Sequence, residues 1–139
     1  MKNLISSAMF FLLATLILGC HKQTEDEKAQ PLLDSIEVLV NEGNFQKALG
    51  GISRLRATYP TAINAREKAL VLWQKASLLQ AQHEVEKTDS ALQATLLEIE
   101  NAPTLLEQNM LRNKHDSLKA RYDAECGVVR IIRAKQNGK

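Results

Sequence analysis

The chain has 139 residues, enough for one domain and short for two. Lys and Arg number 18 against 16 Asp and Glu, a formal net charge of +2, and no long basic run occurs, so nothing argues for a nucleic-acid partner. Six Gly, three Pro and 4% aromatics, with no sustained alternation of β-branched residues, leave a composition suited to an all-α fold.

Lys2 precedes a mostly apolar run from Leu4 to Leu18. That length suits the core of an export signal and falls short of the ~20 residues that span a bilayer as a helix. Gly19 and Cys20 follow, and the chain then turns polar in HKQTEDEK. Hydropathy alone leaves an ordinary secretory signal or an uncleaved anchor open. With Ile17, Leu18, Gly19 and Cys20 in the cleavage box, the segment resembles the signal of bacterial lipoproteins, although Leu18 stands where that family commonly has a small residue. The resemblance implies a signal peptide over 1–19, lipidation of the Cys20 thiol and a polar tether over 20–30. Acyl chains on Cys20 would seat the protein in a lipid bilayer, each buried CH₂ adding ~0.8 kcal/mol. His21, where an aspartate would mark inner-membrane retention, implies the outer membrane, facing the periplasm or exposed at the surface. With Cys20 lipidated, Cys126 has no intramolecular disulfide partner; it is expected as a small buried hydrophobe, with intermolecular pairing as the alternative.

Thr24 and Glu27 fit a capping box, so a helix can begin before Pro31. Leu32, Leu33, Ile36, Leu39 and Val40 then follow helical spacing up to Asn41-Glu42-Gly43-Asn44, where Gly43 suits a left-handed helix end. A second short helix carries Phe45, Ala48, Leu49, Ile52 and Leu55 and ends at Tyr59-Pro60. Gly43, Asn44, Phe45, Ala48, Ile52, Leu55 and Pro60 together make residues 31–60 resemble one tetratricopeptide repeat. The resemblance implies an antiparallel helix pair with Ala48 at the close contact. The adjacent glycines Gly50 and Gly51 are unusual there, since each helical Gly costs ~1 kcal/mol relative to Ala. A single repeat does not make a stable array, so the rest of the chain is expected to cap it.

Residues 61–139 read as a long helical hairpin. Thr61 is placed to N-cap a helix running to Asn101, with a row of Val71, Leu78, Val85, Leu92 and Ile99 and a small-residue row of Ala81, Thr88 and Thr95 beside it. Ala102-Pro103 breaks it, and Thr104 with Glu107 starts a final helix. The stripe of that helix is Leu111, His115, Leu118, Tyr122, Val129 and Ile132, with Leu105, Met110 and Cys126 alongside. The expected architecture is a tetratricopeptide-like pair packed on a long antiparallel, coiled-coil-like hairpin.

Catalytic and metal motifs are missing from the sequence. His83 opens HEVEK, but Lys87 occupies the place of the second zinc ligand, and His115 reads as a packed helix residue. No catalytic residue, metal or cofactor is assigned. Trp73, alone in a helix dense with Leu and Val, is expected to pack near the short pair; its alternative role is to anchor a partner. Arg54 and Arg56 could read an acidic partner or stand as solvated surface. The functional expectation is a non-enzymatic interaction or structural module of the bacterial envelope, bound to an envelope protein or to itself. A client-holding chaperone and a ligand-binding helical protein are the alternatives.

Overall fold

The computed structural model describes residues 22–138, and the lipidation expectation at Cys20 lies outside them. The described residues form four helices and no strand: α1 (Glu25–Asn41), α2 (Phe45–Thr58), α3 (Ile63–Asn101) and α4 (Leu105–Asn137). The chain is all-α, as composition expects.

Helix α1 starts at Glu25, inside the segment read as tether. The Thr24 hydroxyl accepts from the Glu27 amide at 3.2 Å and the Glu27 carboxylate accepts from the Thr24 amide at 2.8 Å. Glu25, Asp26 and Glu27 in the first turn suit the positive end of the helix dipole. The other end closes as a Schellman motif. Asn44 N–H donates to Leu39 C=O at 2.8 Å and Gly43 N–H to Val40 C=O at 3.2 Å. Gly43 has φ +77°, the left-handed value this closure requires.

Helix α2 returns beside α1, and the first half of α3 packs on both. Their shared core holds Leu33, Ile36 and Val40 from α1 with Ile52 and Leu55 from α2. Alanines set the spacing. Ala29 and Ala48 are buried in the short pair, and α3 turns Ala65, Ala69 and Ala76 inward. Such a row lets three backbones approach closely. Gly51 belongs to it, because a Cβ there would lie 2.8 Å from Ile36 Cγ1; at Gly50 a Cβ would meet nothing within 4 Å.

The start of α3 departs from expectation. Its N-cap is Ala62, not Thr61, and no side chain of its own caps it. Asp26 of α1 does so from a distance, Oδ1 accepting from the Ala65 amide at 2.9 Å and Oδ2 from Asn64 Nδ2 at 3.0 Å. At the other end of α1, Asn41 Oδ1 accepts from Lys75 Nζ at 3.3 Å. Helices α1 and α3 therefore run parallel, and α3 continues past them for its remaining length.

Helix α3 is unbroken over 39 residues, about 58 Å at 1.5 Å per residue. Helix α4 folds back along it and packs on no other described helix. Thr104 caps α4 with its hydroxyl, accepting from the Glu107 amide at 3.2 Å. On α3 the contact line is not the apolar row alone. Val71 is exposed, while Thr88 and Thr95 from the small-residue row are buried beside Leu92. The Thr95 hydroxyl satisfies itself on Ala91 C=O at 2.8 Å. On α4 the half-buried residues step by three and four from Leu111 through His115, Leu118, Tyr122, Glu125 and Val129 to Ile132. None of its residues is fully buried, and Leu105 and Met110, expected beside the stripe, are exposed. No helix among the described residues is long and apolar enough to cross a membrane.

Candidate interaction surface

Helix α2 ends where Pro60 denies Tyr59 a helical conformation. The chain turns back within four residues, setting the last turn of α2 beside the first turns of α3. Arg56, Ile63, Arg66, Glu67 and Leu70 line a shallow groove of about 270 Å³ there. Arg66 is held in place, since its Nη1 donates to Pro60 C=O at 2.6 Å. Arg56 makes no ion pair among the described residues.

Trp73 follows Leu70 by three residues and so continues the apolar side of the groove along α3. It is 45% exposed, which corrects the expectation of a core position. The neighbouring Leu72 packs against the core instead. Ile63, Leu70 and Trp73 form an exposed apolar row with a guanidinium at one end. That arrangement can receive an apolar helix face carrying a carboxylate. Arg54 does not share it: two residues from Arg56, it lies about 200° around α2. The structure separates that pair.

Further grooves flank the α3–α4 line. One, of about 440 Å³, is bordered by Ala81, Glu84, Arg121, Glu125 and Val128. The other, of about 360 Å³, is bordered by Val85, Cys126, Val129, Arg130 and Arg133. Cys126 is half-buried there rather than enclosed in a core. The neighbouring Cys126 side chain is the largest influence raising the Tyr122 phenol above its ordinary value.

Glu125 is the polar member of the α4 contact line. Its Oε1 accepts from Arg121 Nε at 2.7 Å, and Arg121 Nη2 also reaches Glu84 Oε2 at 3.0 Å. Its Oε2 is sealed from solvent without a well-formed hydrogen bond. Burial pushes the carboxyl pKa up; the Thr88 hydroxyl, Arg121 and the Lys87 charge together outweigh it and hold the value below the ordinary 4.5.

His83 is exposed, and half-buried His115 sits with Nδ1 3.3 Å from Asp116 Oδ1. Among the described residues no group of three His, Cys, Asp or Glu side chains converges to hold a metal ion. No family model matches this chain, and neither a curated protein nor a solved structure matches it. Sequence reading singled out Trp73 and Arg56 but missed Ile63 and Leu70. Their signal was present: Ile63, Leu70 and Trp73 lie seven and three residues apart.

Proposed function

We propose that the chain is a lipid-anchored helical protein of the bacterial envelope that works by binding another protein, without catalysis. The exposed row of Ile63, Leu70 and Trp73 beside Arg56 carries this reading. Large apolar side chains grouped at a charged edge serve recognition, and Trp and Arg recur at the energetic centres of protein interfaces. The anchor rests on the box Ile17-Leu18-Gly19-Cys20 after its apolar run. Acylated Cys20 would hold the module at the outer membrane, where an envelope partner or a second copy meets it.

Crosslinking followed by affinity capture from the native envelope tests the interaction. Recovery of one stoichiometric partner, lost in Trp73→Ala and weakened in Arg56→Glu, is the expected result. A partner profile unchanged by both variants removes the surface from the account. The anchor has its own test: Cys20→Ser is expected to leave the membrane fraction, and a processed Cys20→Ser protein that still pellets with membranes refutes lipidation.

A chaperone-like reading draws on the hairpin tip, where Leu97, Leu105, Leu106 and Met110 are exposed. Two observations weigh against it. The two helices are packed together instead of standing apart, and Glu98, Glu100 and Glu107 surround the tip. Capture of many unfolded outer-membrane proteins would favour it.

A further inference from the structure

Among the described residues helix α4 packs only on α3, which leaves its outer side uncovered by any described helix. One outer row is uncharged. Leu106 and Met110 open it, Val128 and Ile131 close it, and Asn113, Ser117, Ala120 and Ala124 lie between at helical spacing. All eight are exposed, the four large ones by 73%, 65%, 48% and 58% in chain order. The row runs about 38 Å. Helix α4 meanwhile buries none of its residues fully against α3. An amphipathic helix in that position is stabilised by a further layer.

The order of residues in the row is nearly the same from either end. A two-fold axis near Leu118, relating two antiparallel copies, sets Leu106 against Ile131, Met110 against Val128, Asn113 against Ala124 and Ser117 against Ala120. Large side chains meet at both ends, and small ones occupy the crossing point, where the axes must approach. The flanking charges follow the same symmetry. Arg112, Asp116, Lys119 and Asp123 alternate in sign along one edge. The same axis pairs Arg112 with the second copy's Asp123, and Asp116 with the second copy's Lys119. Within one chain these four make only long contacts, Lys119 with Asp123 at 3.6 Å and Asp116 with the His115 ring at 3.3 Å, and Arg112 makes no ion pair among the described residues. On the other edge Lys114 is 2.9 Å from Glu98, and Arg121 lies between Glu84 and Glu125, so those cations are already compensated within the hairpin.

We infer that the uncharged outer row of α4 is an isologous interface for a second copy of this chain, paired antiparallel through Leu106, Met110, Val128 and Ile131. This rests on the reading of the protein as an interaction module and names one partner for it. A two-fold contact of this kind closes on itself, so it yields a dimer and not a filament. It leaves the Trp73 surface on α3 outside the contact row.

Sedimentation equilibrium of the full chain in density-matched detergent, with micelles in excess, tests the inference. Wild type is expected to dimerise. Asp123→Arg sets like charges opposite at two symmetric places and should weaken the dimer about tenfold. Adding Arg112→Asp to it should restore the dimer, which no unrelated partner or general loss of folding would mimic. Met110→Glu, checked for unchanged helicity by circular dichroism, should weaken the dimer about a hundredfold. A wild-type monomer throughout the concentration series overturns the inference, as does a dimer indifferent to these variants. A wild-type monomer that still captures an envelope protein through Trp73 overturns only the second copy and leaves the interaction reading intact.

Discussion

Gly50 and Gly51 are chemically identical and sit one residue apart in α2, yet the fold uses them differently. Gly51 faces Ile36 with no room for a methyl group, and Gly50 faces open space. Gly50→Ala should stabilise the protein by about 1 kcal/mol through helix propensity. Gly51→Ala should cost about 1–3 kcal/mol, because Ile36 or the α1 backbone must shift. Urea unfolding of the two variants measures both signs. Glu125 gives a second test at this scale. Its folded pKa lies below the ordinary carboxyl value, so it adds stability at neutral pH that is lost as pH falls through the folded value. The wild-type unfolding midpoint should therefore drop further between neutral pH and about pH 3 than that of Glu125→Leu.

The elements are joined by caps that cross from one helix to another. Asp26 serves α1 as a first-turn acid and accepts from the Ala65 amide in the first turn of α3, although the two starts are far apart in sequence. Asp26→Ala should cost about 1–2 kcal/mol by orphaning the Ala65 amide and removing a charge from a helix N-terminus. Asp26→Asn should recover much of that loss, because the amide oxygen still accepts; thermal melts of both variants decide it. Within α1 and α2 most of this was legible. The Thr24–Glu27 box, the Gly43 closure and the stop at Pro60 are local signals, each within one turn of the residue it governs. The alanine row of α3 was not legible. Alanine is the best helix former on any face, so Ala65, Ala69 and Ala76 look no different from surface alanines until α1 and α2 press against them. Reading for large apolar residues picked out Val71 instead, which the structure leaves exposed.

At the scale of the molecule, buried side chains are concentrated at one end. Among the described residues the core of α1, α2 and the first half of α3 holds eleven buried hydrophobic residues together with Gly51, whereas beyond Ala76 only Thr88, Leu92 and Thr95 of α3 are buried. Stability should follow that gradient. Amide exchange is expected to be slowest at Ile36, Ile52 and Leu55 and fastest toward the 101–105 turn, with α3 frayed from its distal end first. Uniform protection along α3 would contradict the gradient, unless a second copy covers α4; comparing Met110→Glu with wild type separates the two causes. The same asymmetry divides the roles. The compact end presents Trp73, Leu70 and Arg56, and the long arm carries the uncharged row of α4.

The amino-acid sequence determined the all-α class and the helix breaks at Gly43, Pro60 and Pro103, because capping, turn and proline effects act over a few residues. The tertiary structure alone decided which face of each helix is buried. That choice set Trp73 outward, brought Asp26 to the start of α3, divided Gly50 from Gly51 and left the outer row of α4 open. A helix with several weakly apolar faces has no preferred side of its own. Its low-energy side is the one its neighbours fit, and neighbours distant in sequence are fixed only when the chain has folded.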